Sequence, residues 1–231
     1  MSCLSGRKIL ITSGPTRAPL DAVRYLTNKS SGRLGSIIAL QALRHGAQVT
    51  FVYGKDSAKP AACGVDYGAT ERFRLIEVET VQDVVDCMKR ELATGYDVLI
   101  HAMAVLDFAP VNTIPEKTSS DQAEWVVHLV PTPKVIKVMR ELAPRALLVG
   151  FKLEYGRSSE EGVAMAYQWL RRSGADFVLA NDLAEIEQGH HIGRLVNRSG
   201  EVLWVEEGKQ EIARHIIETV ADQLQERLVN E

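Results

Sequence analysis

The sequence predicts an α/β protein, in which a doubly wound, Rossmann-like and mostly parallel sheet carries helices on both faces. Short apolar runs alternate along the chain with amphipathic segments of helical period. These runs are continuously apolar, as strands are when helices cover both faces of a parallel sheet. With 231 residues, 45% hydrophobic and 25% charged, the composition is that of a globular domain. We therefore assign residues 1–231 to a single Rossmann-like domain.

The apolar runs and the periodic segments give the order of the elements. The predicted strands are Ile9–Thr12, Val49–Tyr53, Phe73–Val78, Val98–Ala102, Leu147–Phe151 and Phe177–Ala180. The predicted helices are Gly32–His45, Val81–Ala93, Pro133–Leu142, Ser159–Ser173 and Lys209–Val229. Capping residues support several boundaries: Thr80 with Asp83 and Ser158 with Glu161 at helix starts, Thr132-Pro133 as a cap and first helical residue, and Gly46 and Gly174 at helix ends.

Two segments interrupt this alternation. Residues 103–131 form a long polar stretch that ends in Trp125–Val130, where apolar and polar residues alternate weakly. A connection of this length is usually functional or lies at an interface, so we expect a functional loop or an interface segment here. The other segment, residues 190–206, predicts a C-terminal hairpin with strands Ile192–Asn197 and Val202–Val205 around the turn Arg198–Gly200.

Charge and composition exclude several classes of partner. The net charge is −3 and no long basic run occurs, so nucleic-acid binding is not expected. No apolar stretch approaches the roughly 20 residues that span a bilayer, and the N-terminus has no signal-peptide core. Cys3, Cys63 and Cys87 are far apart and form no C-x-x-C pair, which predicts neither disulfides nor a cysteine metal site. We expect a protein of the reducing cytoplasm.

The segment from Arg24 to Gly35 is the most informative in the chain. It lies between the first predicted strand and the first predicted helix, and it is rich in glycine and in small polar side chains. A helix N-terminus offers free N–H groups and a partial positive charge, and glycine lets a ligand approach the backbone. Asn28, Ser30 and Ser31 add hydrogen-bonding groups without bulk. This turn therefore predicts a phosphate-binding site.

Polar residues follow four of the predicted strands. Because the carboxyl ends of parallel strands meet at one edge of a sheet, these residues should converge there with the phosphate-binding turn. Each group taken alone could equally be a helix cap or a turn, but four that converge favour a site. The groups are Thr12–Gly14, His101–Asp107, Gly150–Glu154 and Ala180–Asp182.

Nicotinamide chemistry is the main alternative. A Rossmann-like NAD(P)-dependent dehydrogenase or epimerase would carry G-x-G-x-x-G after the first strand and an acidic residue after the second, where this chain has Gly54-Lys55. Tyr25 and Lys29 have the spacing of a dehydrogenase pair, but they lie where a cofactor loop would be. A Walker motif is also absent. His190 and His191 lack partners at metal-ligand spacing, so a zinc site is not expected.

Two basic residues have both a functional and an ordinary interpretation. Lys117, in the long loop, could close over a polyphosphate and neutralise charge in the transition state, or it could be a solvated surface lysine. His101, at a strand end, could be a ligand or a base, or it could be a hydrogen-bonded core residue. Without other evidence, the ordinary interpretation is preferred for both.

Together these residues resemble the phosphopantothenoylcysteine synthetase family in its stand-alone form. The family motifs are T-S/A-G-G-T, V-R-x-x-x-N-x-S-S-G-x-x-G, A-A-V-S-D-[FY], K-I-x-x, G-F-K/A-x-E and A-N-D. In this sequence they occur in family order, within residues 8–182, as Thr12–Thr16, Val23–Gly35, Met103–Phe108, Lys117–Ser120, Gly150–Glu154 and Ala180–Asp182. Pro15, Met103 and Leu106 replace a glycine, an alanine and a small polar residue of the pattern, which leaves the choice of substrate open.

The resemblance implies ligation of 4′-phosphopantothenate to L-cysteine in coenzyme A biosynthesis. The co-substrate would be CTP or ATP, with CTP favoured, Mg²⁺ as cofactor and no flavin, and an acyl-nucleotide would form with release of pyrophosphate. Catalytic roles fall to Asn28 and Lys117. The resemblance places the nucleotide against Gly14, Ser30, Gly32, Gly35, Phe151 and Asn181, and the phosphopantothenate against Arg24, Asn28, Met103, Ala104 and Asp107.

The resemblance also implies a homodimer, in which Arg24 reaches the neighbour's substrate. Residues 103–131 would then be a substrate loop and a dimerisation flap that forms part of the interface. No flavin-binding decarboxylase half precedes this chain, so that activity is expected to be absent. A catalytically inactive binding protein with the same fold is a third interpretation. The presence of Asn28 and Lys117 argues against it. The sequence identifies no metal ligands.

Overall fold

A central eight-stranded sheet organises the computed structural model, which describes residues 4–60 and 72–230. In chain order, the strands are β1 (Lys8–Ser13), β2 (Arg17–Pro19), β3 (Tyr25–Thr27), β4 (Gln48–Gly54), β5 (Phe73–Val78), β6 (Val98–His101), β7 (Phe108–Pro110), β8 (Leu129–Pro131), β9 (Leu147–Glu154), β10 (Phe177–Asp182), β11 (Ile192–Asn197) and β12 (Val202–Glu207). The helices are α1 (Arg33–Arg44), α2 (Val81–Leu92), α3 (Val135–Leu142), α4 (Ser159–Ser173), α5 (Leu183–Glu187) and α6 (Lys209–Asn230).

The strands of the large sheet lie in the order β5-β4-β1-β6-β9-β10-β11-β12. All pairs from β5 to β10 are parallel, and β11 and β12 add an antiparallel edge. This is the doubly wound arrangement, and the strand order reverses between β1 and β6. The predicted Rossmann-like, mostly parallel sheet is confirmed, and so is the C-terminal hairpin.

Two buried clusters cover the two faces of the sheet. Ile9 and Ile11 of β1 face α1 and α6, whereas Leu10 faces the side that carries α2, α3 and α4. All three side chains are fully buried, and each such burial contributes about 1.5–3 kcal/mol. The continuous apolar runs of the sequence therefore have the predicted cause, because successive side chains of one strand point into two different cores.

Hydrogen bonds at the helix ends confirm most of the predicted caps. At the start of α2, the Asp83 N–H donates to Thr80 Oγ1 over 3.1 Å, and the Thr80 N–H donates to Asp83 Oδ2 over 2.8 Å. Ser158 and Glu161 form the same reciprocal capping box at the start of α4. Helix α4 ends at Gly174, where φ is 72°, a left-handed conformation that glycine adopts without strain.

The cap predicted at Thr132 is wrong. Helix α3 begins at Val135, and its N-cap residue, Lys134, makes no side-chain capping bond. The Thr132 hydroxyl instead donates to the carbonyl oxygen of Leu106, and its N–H donates to the Asp107 carbonyl over 2.9 Å. The hydroxyl and the N–H of Thr132 thus both hold the base of the 103–131 segment, and the helix begins three residues later.

Two small hairpins and one short helix were not predicted. β2 pairs with β3, and β7 pairs with β8, in separate two-stranded sheets. The weak alternation over Trp125–Val130 yields a strand only at Leu129–Pro131. Helix α5 spans five residues. Elements this short contain too few residues for a hydrophobic period to be recognised in the sequence.

The cysteine prediction is visible only in part. Cys87 is a free, buried thiol in α2, and burial, together with the charge of Glu91, raises its pKa to about 11. Cys3 and Cys63 lie outside the described residues. None of the helices in the described part of the chain combines the length and the apolar character that crossing a bilayer requires.

Candidate ligand site at the carboxyl edge of the sheet

A cavity of about 680 Å³ lies at the carboxyl edge of the sheet, over the point where the strand order reverses. Its volume is that of an ordinary small-molecule site. Nine of the residues selected from the sequence line it, which shows that the predicted strand ends do converge. They are Asn28, Ser30, Gly32, Gly35, Met103, Ala104, Asp107, Phe151 and Asn181.

The start of α1 forms one wall of the cavity. Gly32 is the N-cap residue, with φ at 74°, and it offers no side chain to cap the helix, although the Arg33 N–H donates to Ser31 Oγ over a long 3.5 Å. A Cβ at Gly35 would collide with the Ser13 hydroxyl, so glycine lets α1 pack directly against the end of β1. The first turn holds no acidic residue, and its N–H groups remain available to an anion.

Gly14 lies behind this wall and does not line the cavity. Its φ is 78°, and a Cβ on Gly32 would come within 3.2 Å of its Cα atom. Its carbonyl oxygen accepts a hydrogen bond of 2.9 Å from the Ala104 N–H. Gly14 thus joins the turn after β1 to the loop after β6, and its role beside the nucleotide stays a prediction.

Asn28 connects the phosphate-binding turn to the same loop. Its Nδ2 donates to the Ala104 carbonyl oxygen over 3.0 Å. Its side-chain oxygen accepts no hydrogen bond from any described residue, so it is available to a ligand. One amide group therefore both fixes the geometry of the site and presents an acceptor to the cavity.

Basic side chains outnumber acidic ones in the wall. Asp107 is the acidic residue of this surface, and its Oδ1 lies 2.6 Å from Lys134 Nζ. The basic residues are Lys29, Arg33, Lys134, Lys152 and Lys209. Lys152 pairs with Glu154, whereas Lys29, Arg33 and Lys209 form no ion pair with any described residue. The cavity is therefore suited to a ligand with several negative charges.

His101 forms part of the floor of the cavity, at the end of β6. Its Nδ1 lies 2.6 Å from Thr12 Oγ1, and only 7% of the residue is exposed. Burial lowers its pKa to about 4, so the ring is neutral near neutral pH. His101 is therefore a hydrogen-bonded core residue, as its ordinary interpretation predicted. It also lines the cavity, and a role as a ligand or base stays a prediction.

Acidification should destabilise the protein through His101. The folded protein takes up this proton near pH 4 and the unfolded chain near pH 6.5, so the unfolded state binds more protons between those values. Stability is therefore lost as the pH falls through this interval, by about 3 kcal/mol when complete. Urea unfolding of the wild type and of His101→Gln at several pH values measures how the free energy of unfolding depends on pH. The variant should show a shallower pH dependence, and equal slopes would contradict the assignment.

Arg24 does not line the cavity, and its side chain is held within its own chain. Its guanidinium lies 2.7 Å from the Asp21 carboxylate, 3.3 Å from the Thr118 carbonyl oxygen and 5.2 Å from the centre of the Trp125 ring. Asp21 also accepts hydrogen bonds from the N–H groups of Val23, Arg24 and Thr118. These residues attach the 103–131 segment to the turn between β2 and β3.

The charge of Asp21 is stabilised by these contacts. Burial alone would raise the pKa of its carboxyl, but the hydrogen bonds from Val23, Thr118 and Arg24, together with the Arg24 charge, lower it to about 2. The Asp21 carboxylate that holds the 103–131 segment therefore remains ionised across the physiological pH range. Lys117, next to Thr118, is exposed and lies outside the cavity wall. Its predicted closure over the ligand would require the segment to move.

Several cavity residues were not selected from the sequence. Trp169 of α4 crosses β9 at Gly150, where any Cβ would collide with its ring. That glycine, inside a buried strand, was the available signal. In the sequence alone, Lys134 and Lys209 look like surface lysines, and His191 was considered only as a zinc ligand. Leu183 and Ile186 belong to the undetected helix α5.

The fold and the site define the class: this is a Rossmann-like α/β protein with a basic cavity at the switch point of its sheet. Residues 4–224 match the family described as "DNA/pantothenate metabolism flavoprotein C-terminal domain". Because this match covers nearly the whole sequence, the chain belongs to that family.

Individual relatives agree with this assignment. The chain is 40% identical, over 78% of its length, to the coenzyme A biosynthesis bifunctional protein CoaBC of Thermococcus kodakarensis, and it spans only 42% of the length of that relative. The DNA/pantothenate metabolism flavoprotein from Streptococcus pneumoniae has a crystal structure with 30% identity and a TM-score of 0.83, covering 94% of this chain and 100% of that one. The C-terminal domain of a CoaBC protein gives 29% identity and a TM-score of 0.76, with coverage of 98% and 100%.

Proposed function

We propose that this protein is a phosphopantothenate–cysteine ligase of coenzyme A biosynthesis. It joins 4′-phosphopantothenate to L-cysteine through an amide bond and consumes a nucleoside triphosphate. The observation that carries the proposal is that one cavity combines three features. These are the N-terminus of α1, whose first turn has no acidic residue, basic side chains that form no ion pair with a described residue, and the amide of Asn28. Membership of the family and the names of its relatives support the same activity.

The reaction proceeds in two displacements. A carboxylate oxygen of phosphopantothenate attacks the α-phosphorus, and the bond to the leaving pyrophosphate breaks, which gives an acyl-nucleotide. The cysteine amine then attacks the acyl carbon, loses a proton and displaces the nucleoside monophosphate. Such steps depend on positioning and on dispersed positive charge more than on an activated side chain.

The cavity residues divide between the two substrates. Ser30, Gly32 and Gly35 at the start of α1 hold the triphosphate, with Gly14 supporting them from behind. Phe151 and Asn181 surround the nucleoside. Phosphopantothenate lies along Met103 and Ala104 towards Asp107, and Asn28 contacts its chain and the acyl-nucleotide. Arg24 and Lys117 act from outside the present cavity wall.

CTP is the preferred nucleotide in this proposal and ATP is the second choice. No cluster of three or more potential metal-binding side chains occurs among the residues that the structure describes. Mg²⁺ would therefore enter on the phosphate groups of the nucleotide, as it commonly does, and would neutralise part of their charge. The proposed chemistry uses no flavin. A dehydrogenase is not favoured, since the glycine fingerprint of a dinucleotide site is missing.

Pyrophosphate release tests the proposal. The purified chain is incubated with CTP or ATP, with and without 4′-phosphopantothenate, and with and without cysteine. We expect release that depends on phosphopantothenate, a single turnover without cysteine and repeated turnover with it. Binding of both substrates without any release would instead indicate an inactive binding protein, and would contradict the proposal.

The active unit is a homodimer in which residues 103–131 contribute to the interface. Phe108, Val126, Leu129 and Val130 are exposed apolar side chains of this segment, and a partner surface would bury them. In the described chain Arg24 is bonded to Asp21. Contact with a neighbour's substrate would require Arg24 to exchange that carboxylate for one on the substrate, or for a phosphate, which its planar fork binds equally well.

Subunit mixing should show whether Arg24 acts across the interface. Arg24→Ala and Asn28→Asp are each expected to be inactive. If Arg24 acts in trans, every mixed dimer has one site with both lesions and one intact site, and an equal mixture should regain about a quarter of the wild-type activity. If Arg24 acts in its own subunit, no activity returns. A monomer by light scattering at working concentration would also contradict the assignment.

A further inference from the structure

His191 is a half-buried histidine whose ring nitrogens have no partner in the described chain. It precedes β11 and lines the cavity close to the end of β10, near Asn181 and Ile186. Both ring nitrogens are inaccessible to solvent and neither makes a hydrogen bond. Buried polar atoms nearly always have a partner, so two orphaned nitrogens on a cavity wall indicate a missing ligand or water.

The neighbouring residue, His190, provides a contrast. Its Nδ1 lies 2.8 Å from Glu207 Oε1, the pair is exposed, and His190 is not part of the cavity wall. The backbone of His191 is also fixed, because its carbonyl oxygen accepts a hydrogen bond of 2.8 Å from the Gly208 N–H, immediately before α6. The backbone of His191 is therefore held in place without any contribution from its side chain.

The surroundings of His191 favour a neutral ligand group. Burial and the charge of Lys209 both lower its pKa, to about 4, so the ring is neutral and offers one donor and one acceptor. Leu183 and Ile186 make this end of the wall largely apolar. A phosphate would be held better at the start of α1 or by Lys209, whereas hydroxyl groups, ring nitrogens and amines of a nucleoside match a neutral imidazole.

We propose that His191 hydrogen-bonds the nucleoside of the bound nucleotide, and that it thereby selects nucleoside triphosphates over bare polyphosphates. The inference rests on the proposed function, because it takes the cavity to be the site of a nucleoside triphosphate. His191 is a specificity-determining residue in this view, and it takes no part in bond making or breaking.

Calorimetric binding to the full chain tests this. The ligands are CTP, ATP and inorganic tripolyphosphate, and the variants are His191→Ala, His191→Gln and the matched control His190→Ala. We expect His191→Ala to weaken binding of the preferred nucleotide about fivefold, the value of one hydrogen bond of average strength, and to leave tripolyphosphate binding unchanged. Glutamine keeps a donor and an acceptor, so His191→Gln should recover part of the loss. His190→Ala should bind all three like the wild type.

Steady-state kinetics provide the second measurement. The KM for the nucleotide should rise in His191→Ala, whereas the KM for 4′-phosphopantothenate should not, a split that general loss of structure would not produce. Equal weakening of nucleotide and tripolyphosphate, or an equal loss in His190→Ala, would overturn the inference. If the wild type releases pyrophosphate and His191→Ala keeps its nucleotide KM, this inference alone fails. If the wild type releases none from any nucleotide, the proposed function fails instead.

Discussion

Replacing Asn28 with aspartate is expected to abolish pyrophosphate release and to leave the fold intact. The Asn28 amide donates to the Ala104 carbonyl oxygen over 3.0 Å, and a carboxylate cannot donate there. The new charge would also face the substrate carboxylate and the α-phosphate. Two like charges about 4 Å apart in a site of intermediate dielectric repel by about 4 kcal/mol, which corresponds to a rate loss of about a thousandfold.

Asn28→Ala separates the two causes. It removes the hydrogen bond to Ala104 without adding charge, so it should lose less activity than Asn28→Asp. The measurement is the initial rate of pyrophosphate release with phosphopantothenate, together with the circular dichroism spectrum and melting temperature of each variant. A wild-type rate in Asn28→Asp would show that the ligand does not approach this side chain.

Lys117→Gln should lower kcat by about a hundredfold or more and change nucleotide Kd little, if the lysine closes over the site mainly in the transition state. The structure makes this a demanding test, because Lys117 is exposed and lies outside the cavity wall. Only a moving segment would bring it to the phosphates. Nucleotide titrations and turnover measurements on the same preparations separate binding from chemistry.

Lys137→Gln is the matched control for this variant. Lys137 is an exposed lysine of α3 that does not line the cavity, so its substitution changes net charge equally without touching the site. Turnover like that of the wild type in both variants would return Lys117 to its ordinary interpretation as a solvated lysine.

The layered sheet could be predicted from the sequence because its strands are fully buried. The run around Ile9–Ile11 is apolar at every position, since alternate side chains enter different cores. The hairpins β2–β3 and β7–β8 have strands of three residues, in which no period can be recognised. Thr132 was misassigned because its bonds to Leu106 and Asp107 join residues far apart in the sequence.

The site was predictable where it lies at the carboxyl ends of the strands of the sheet. Asp107 follows β6, Asn181 lies at the end of β10, and Asn28 lies in the connection between β1 and α1. The topology of a parallel sheet brings such positions together. Lys209 and His191 reach the cavity by another route. The hairpin of β11 and β12 returns the chain to the same edge, so α6 starts beside α1. In the sequence alone, these two residues look like ordinary surface side chains.

The contacts of Asp21 and Arg24 also determine how the 103–131 segment can move. Thr118 and Trp125 are both attached to the turn between β2 and β3, and Lys117 adjoins the first of these points. While these contacts hold, Lys117 can travel far only if the β2–β3 and β7–β8 hairpins move together with it. The entropy of ordering this segment is then lost once, when the protein folds, and not again in each catalytic cycle.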